Sequence, residues 1–389
     1  MALPGHIGTM IDLALKSVRH DWRRYLPVAV AIGISGLLMV MQLAFAMGAF
    51  STAAAPIGLS RAQIWVGPAT ATSLDESAGI GAAQASALWM VQGVERIEPY
   101  QTSFAEVSRE RKVGQAEESP RYGLIVGLDV RPGAALYAGV VSGAARRALA
   151  EPDTAVIDRS LAADLGLRLG DRVSVSKRTL RIVGIKRGLR GMGMTSVLVS
   201  EPTARSLAGS ATSDPAFYLL TLADPRDAAQ VQAELDRGRV ASELRAWNAD
   251  DLRNSTIRTW ALGSGAGTIF LASTGIALTV TLLIVNQTLG AAVAATMREY
   301  AALRAYGLSF GRVQRIVMRQ GLWVGLGAMA LTGLLAAILL IVLRMRDVAV
   351  VMTPIMAAGT ALALLVVVIL SNLMALRRLR HADPASLLR

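Results

Sequence analysis

The chain has 389 residues, 53% of them hydrophobic, and a mean hydropathy of +0.45, too apolar for a soluble protein of this length and too polar for membrane spans alone. It contains no cysteine, which excludes disulfides and thiolate metal sites. Its formal charge of +12 does not mark a nucleic-acid surface: residues 51–258 hold 25 Lys/Arg against 23 Asp/Glu, while 13 basic and 4 acidic residues crowd into 1–24, 298–319 and 377–389 beside apolar runs.

In residues 1–24, Ile7, Ile11, Ala14, Leu15, Val18 and Trp22 recur at helical spacing, with Asp12, Lys16, Arg19 and Arg23 on the complementary stripe. This pattern predicts an amphipathic helix lying in the membrane interface, its cations toward anionic lipid headgroups. No charge occurs between Arg24 and Arg61, so residues 25–50 are the first predicted span. Ala44-Phe45-Ala46 has the small-x-small look of a signal-peptide cleavage site, but the apolar run far exceeds the roughly 7–15 residues of an h-region. The expectation is a retained span.

Residues 51–258 alternate strand-like and helix-like segments, which predicts an α+β domain. Thr154–Ile157 reads as a strand leading into a helix over Ser160–Leu165. Val173–Val175 and Leu180–Ile185 read as a hairpin, with Gly166 and Gly170 in turns and Asp171 capping a tight loop. Gly188 to Ser196, with Met192 and Met194 between glycines, reads as a mobile apolar tip. The histidines are His6, His20 and His381, all at the chain's edges. The acidic pairs Asp75-Glu76, Glu117-Glu118 and Asp250-Asp251 have no partner for acid–base or metal chemistry, so the expectation is a solvated surface, no metal and no catalysis.

Charge-free runs then predict spans over 261–297, 311–343 and 349–376, joined by a cytoplasmic loop at 298–310 and a short outer loop at 344–348, with a cytoplasmic tail over 377–389. Gly263, Gly265 and Gly267 suit close helix packing rather than a phosphate loop, since no strand precedes them. Basic segments flanking the spans place both termini in the cytoplasm and residues 51–258 outside. The fold expected is an α-helical membrane protein with four transmembrane helices and an α+β extracytoplasmic domain inserted between the first and second. Gln42, Asn286, Gln287 and Asn372 are expected to bond neighbouring helices. With no charge deep in any span, an ion-coupled carrier is disfavoured.

In the 298–310 loop, Glu299–Tyr306 can form a short helix, Gly307 breaks it, and Ser309 caps the next. There Val313, Ile316, Val317 and Gln320 share one side, and Arg312, Arg315 and Arg319 another. Arg298, Glu299, Leu303, Arg304, Ala305 and Gly307 resemble the R-E-x-x-x-L-R-A-x-G-like cytoplasmic loop of MacB/FtsX-type ABC permeases. Asp383, Pro384, Ala385, Leu388 and Arg389 resemble that family's D-P-A-x-x-L-R ending, and the order of span, outer domain and three spans is similar throughout. Leu38, Met41, Gln42 and Leu43 resemble the narrower DevC-like group. Tyr300 and Tyr306 stand where aliphatics are usual, and Gln320 near a position often acidic.

The resemblance implies a MacB-like periplasmic domain and a homodimer in the bacterial inner membrane. Arg298, Glu299, Leu303, Arg304, Tyr306 and Gly307 would dock on a separate cytoplasmic ABC ATPase carrying ATP and Mg. No G-x-x-x-x-G-K-[ST] occurs, so this chain is expected to hold no cofactor of its own. The DevC-like features imply a periplasmic adaptor (membrane fusion protein) and an outer-membrane channel as partners. The function implied is transmission of ATP-driven motion to the periplasmic domain for export. The alternative is FtsX-like mechanical regulation of a cell-wall hydrolase, and a passive receptor is a third class.

Overall fold

A computed structural model describes residues 22–75, 79–110, 121–191, 194–208, 214–237, 243–295 and 309–380. The chain divides into two compact units, one of residues up to Met47 together with those from Ile269, the other Gly48–Thr268.

The first apolar run forms α1 (Trp22–Ala53), 32 residues in one helix whose last turns belong to the second unit. A single turn at Ala55–Gly58 leads from it into the α+β unit, whose ten strands form one connected sheet among the described residues. The strands are β1 (Ile64–Pro68), β2 (Val94–Arg109), β3 (Arg121–Leu128), β4 (Thr154–Asp158), β5 (Arg172–Val175), β6 (Arg178–Lys186), β7 (Arg190–Gly191), β8 (Met194–Ser200), β9 (Phe217–Leu222) and β10 (Leu244–Asn248). The 16-residue β2 serves two layers. Its first half pairs with β9, completing an antiparallel layer ordered β10-β1-β9-β2. Its second half pairs with β3 and, at Val107–Arg109, with β5. The pairs β3–β8 and β4–β6 are parallel, β8–β4 and β6–β5 antiparallel, so β2-β3-β8-β4-β6-β5 closes on itself as a six-stranded barrel.

Strand alternation sorts the cores. Val107, Ile125, Ala155, Ile157, Val173, Leu180, Val197 and Val199 fill one cluster, joined by Leu161 of α3 (Arg159–Asp164) and Ala204 of α4 (Glu201–Ala208). Their neighbours Leu124, Val126, Val156 and Leu198 point the other way and pack with Leu136, Tyr137, Ile57 and Leu149 of α2 (Gly143–Leu149). The antiparallel layer carries Ile64, Val66, Leu220 and Ala246 against Val231 and Leu235 of α5 (Ala228–Arg237). Its opposite face stacks Trp65 edge-on to Tyr100 and Phe217, with ring centroids 5.5 and 6.4 Å apart. Gly67 makes room for this: a Cβ there would lie 2.1 Å from the Phe217 ring.

The hairpin expected over 173–185 is present, and its turn residues Ser176 and Lys177 take φ of 47° and 69°, the left-handed pair that a two-residue connection demands. Asp171 Oδ2 accepts the Arg168 N–H at 2.8 Å. The expected mobile tip at 188–196 needs correction. Arg190–Gly191 pairs with Met194–Thr195, Leu189 is fully buried, and its N–H donates to Asp158 Oδ2 at 2.9 Å. The buried Asp158 carboxylate draws the segment onto the barrel, a contact 31 residues away in sequence that glycine content could not reveal. Met192 and Gly193 lie outside the described residues.

Of the acidic pairs, Asp75, Asp250 and Asp251 are exposed, as the surface reading expects, while Glu76, Glu117 and Glu118 lie outside the described residues. Asp75 accepts from Ser73 Oγ at 2.7 Å and Trp260 Nε1 at 3.0 Å, tying its loop to α6 (Ala249–Leu262); Asp250 and Asp251 occupy the first turn of that helix, where its dipole favours them.

In the helical unit, α7 (Gly265–Ala295), α8 (Phe310–Met345) and α9 (Pro354–Arg380) follow. With α1 they are four helices long and apolar enough to cross a membrane. Only 17% of the most apolar stretch of α7, and the same share of α8, is buried, leaving side chains such as Ile276, Leu283 and Ile338 uncovered. The α8–α9 connection turns at Asp347, φ 56°, where Val348 N–H reaches the Leu343 carbonyl at 3.0 Å.

Candidate functional site

The six residues expected to bind an ATPase, Arg298, Glu299, Leu303, Arg304, Tyr306 and Gly307, lie outside the described residues, as do the stripe from Ile7 to Val18 and the ending from Asp383 to Arg389. The structure describes their flank. Ser309 precedes α8 with extended backbone, φ −67° and ψ 145°, and its carbonyl accepts the Arg312 N–H at 2.9 Å, although its hydroxyl makes no capping bond. Val317 and Gln320 are buried while Arg312 and Arg315 are exposed, the division that the spacing predicts.

Beyond that flank, the helical unit is held by small residues and hydroxyls. Thr281 Oγ1 of α7 donates to the Ser35 carbonyl of α1 at 3.2 Å, and Thr332 Oγ1 of α8 to the Gly33 carbonyl at 3.0 Å. Gly321 lets α8 meet α9: a Cβ there would lie 2.1 Å from Asn372 Oδ1. Asn372 is 2% exposed and its Oδ1 has no hydrogen-bond partner. The Asn372 oxygen therefore fills a packing gap instead of bonding across it as expected, whereas Thr281 and Thr332 do bond between helices. A β-branched hydroxyl also bonds the preceding turn of its own helix, as Thr281 does with Ala277 at 2.8 Å, so it crosses a short gap without stranding its donor.

The α+β unit holds a second constellation, built of charges. Glu98 lies on β2 facing inward with Tyr100 and is 1% exposed. Its carboxylate accepts the N–H groups of Ala135 and Leu136 at 2.6 and 3.3 Å. From α2, Arg146 donates Nη1 to the Asp129 carbonyl at 2.7 Å and Nη2 to the Leu136 carbonyl. Asp129 accepts from Arg131 Nε at 3.0 Å and pairs with Arg96 at 3.5 Å, while Arg96 Nη2 holds the Pro132 carbonyl at 2.9 Å. The Arg61 N–H reaches the Ala135 carbonyl at 3.1 Å. Residues 129–136 are thus clamped from β2, from α2 and from the segment after α1. Burial pushes the Glu98 carboxyl above the usual carboxylate range, against the pull of its two backbone donors. Burial likewise lowers the Arg146 guanidinium despite the attraction of Glu98 and Asp129. For Asp129 burial pushes upward, but the Arg131 hydrogen bonds prevail and hold it low.

Sequence reasoning missed this clamp. Its available signal was Glu98 at an inward position of an alternating strand, two residues before Tyr100.

Residues 28–237 match the MacB-like periplasmic core domain, more than half of the chain, and residues 271–384 match the FtsX-like permease C-terminal region. The chain belongs to the MacB/FtsX family of permeases. Among solved structures, the periplasmic region of MacB from Actinobacillus actinomycetemcomitans is 13% identical, covering 51% of this chain and 94% of its own, with a TM-score of 0.34. The extracellular domain of the noncanonic ABC-type transporter YknZ from Gram-positive bacteria is also 13% identical, covering 48% of this permease and 99% of its own chain, with a TM-score of 0.32. No curated protein matches. Membership makes the chain a permease component of the ABC-transporter class and implies association with an ABC ATPase subunit.

Proposed function

We propose that this permease couples a cytoplasmic ATPase, docked on residues 298–307 and supplying ATP and Mg, to its α+β unit, and that motion of that unit exports cargo taken from the periplasm or outer leaflet. The permease acts as a homodimer in the inner membrane with both termini cytoplasmic. The observation that carries this reading is the order of parts: an α+β unit spliced between the first and second of four long apolar helices, in a chain whose two halves both match the family. A periplasmic adaptor and an outer-membrane channel complete the export path, in keeping with the DevC-like features of α1.

The test is co-purification with an ABC ATPase subunit from the same cells, followed by ATP hydrolysis in proteoliposomes. Glu299→Ala with Arg304→Ala is expected to weaken ATPase association at least about tenfold, the effect of losing roughly 1.4 kcal/mol of contact, and to abolish stimulation of hydrolysis. Cargo export at full rate without any ATPase would sink the proposal. Export lost on deleting a neighbouring adaptor separates this reading from regulation of a wall hydrolase, in which adaptor loss changes nothing and cell-wall cleavage fails instead.

A further inference from the structure

The clamp in the α+β unit leaves a cavity beside it of about 440 Å³, lined by Arg61, Arg146 and Arg147 among small and apolar residues including Pro132, Ala134 and Val141. No carboxylate lines it. Five arginines, Arg61, Arg96, Arg131, Arg146 and Arg147, gather around residues 129–147, where the buried carboxylates are Glu98 and Asp129. Those two are already engaged, Glu98 by backbone N–H groups and Asp129 by Arg96 and Arg131. Arg61 and Arg147 are exposed and have no carboxylate partner among the described residues. Arg146 is 6% exposed and spends Nη1 and Nη2 on carbonyl groups, and a guanidinium has five N–H donors, so charge and donors remain for a ligand. A hollow with a surplus of guanidinium charge, one of its cations held in place by carbonyl groups, suits an anion with several acceptor oxygens.

The position along the chain specifies which anion. Arg61 is the first charge after the apolar run that starts beyond Arg24, and α1 ends only at Ala53. Only a short stretch of chain separates the end of α1 from Arg61, which keeps this arginine within reach of the lipid headgroups bounding that span. Val130, Pro132, Ala138 and Val141 give the same hollow apolar walls, suited to the glycerol and upper acyl region next to a phosphate.

We propose that this cavity binds the phosphate of an anionic phospholipid headgroup, with Arg61 and Arg147 holding the phosphate and Arg146 setting the charge of the floor. The proposal rests on the spanning assignment of α1 given above.

The test uses the full-length permease in detergent, titrated with a fluorescent short-chain phosphatidylglycerol and read by anisotropy. Phosphatidylcholine of the same tail and glycerol 1-phosphate are the comparison arms. Phosphatidylglycerol is expected to bind about tenfold or more tightly than phosphatidylcholine, and Arg61→Gln with Arg147→Gln to remove most of that preference, at roughly a fivefold change per cation. Arg61→Lys with Arg147→Lys restores part of it. Arg226→Gln with Arg237→Gln, two exposed arginines outside the cavity, leaves it unchanged; an equal loss in that control means diffuse charge attraction and overturns the site. Wild-type affinity in the Arg61/Arg147 double variant, or no preference over phosphatidylcholine, also overturns it. Glycerol 1-phosphate competing as well as the lipid reassigns the cavity to a soluble phosphate and defeats the lipid proposal. Flotation with phosphatidylcholine liposomes tests the spanning assignment separately, so a permease that floats but shows no headgroup preference condemns the cavity alone.

Discussion

In the α+β unit the ionisable groups Glu98, Asp129 and Arg146 are buried, each with partners drawn from a different segment, whereas the helical unit buries hydroxyls and amides, crosses between helices through Thr281 and Thr332, and leaves the Asn372 oxygen unpartnered. A buried ion with satisfied donors is costly to disturb, because moving any partner strands a charge. Single hydroxyl bonds between helices contribute little each, and glycine contacts depend on shape alone. The α+β unit is therefore organised to hold one arrangement around residues 129–136. The helical unit is held by small terms that can be exchanged one at a time.

Arg146→Met is the strongest test of this contrast. It removes the cation from a site where Glu98 and two carbonyl groups remain, and is expected to lower stability by about 3 kcal/mol or more; urea unfolding followed by tryptophan fluorescence reads it. A loss under about 1 kcal/mol would place the clamp with weak surface pairs and erase the contrast.

Next in size is Gly321→Ala. The new methyl meets Asn372 Oδ1 at 2.1 Å, and overpacking of this kind costs about 1–3 kcal/mol. Adding Asn372→Ala should recover most of the loss, since residues in contact are not additive. Thermal unfolding in detergent measures both variants; equal stability of Gly321→Ala and the double variant refutes the α8–α9 contact.

Thr332→Val is expected to cost only about 0.6 kcal/mol, the typical worth of a hydrogen bond between membrane helices. A loss as large as that of Arg146→Met would mean that the helical unit is locked as firmly as the clamp.

The pH dependence is the subtlest comparison. Glu98 titrates above its unfolded value, so its contribution to stability is full below the unfolded pKa and is lost as pH rises through the folded one. Asp129 titrates below its unfolded value, and its contribution is present above the unfolded pKa and lost as pH falls through the folded one. Glu98→Gln should therefore gain on the wild type between acid and neutral pH, while Asp129→Asn should cost most at neutral pH. Parallel profiles for the two variants would contradict the opposite environments assigned to them.

Several of these features were legible in advance, and the difference is one of range. The four apolar helices follow from charge-free runs, a property of neighbouring residues. The hairpin over β5 and β6 follows from two short alternating segments and a turn, and the start of α8 after Ser309 from a capping residue before a periodic stretch. The 188–196 segment misled because its glycines and methionines describe flexibility, while Asp158 and the Leu124 side chain beside Gly191 hold it down from elsewhere. The Glu98 clamp escaped because a strand glutamate and a helix arginine acquire meaning only through residues 129–136 between them.

What the sequence by itself determined is the sorting of the chain between apolar helices and a charge-balanced α+β insert, together with the family likeness at residues 298–307. Hydrophobic length and charge are local quantities, and each predicts where a segment is soluble. Only the tertiary structure decided that β2 belongs to two layers, that β5 returns to close the barrel, and that arginines distant in sequence surround one hollow beside Arg61. Those outcomes depend on which strands and loops meet, and the free energy of meeting belongs to pairs of segments that no single stretch contains.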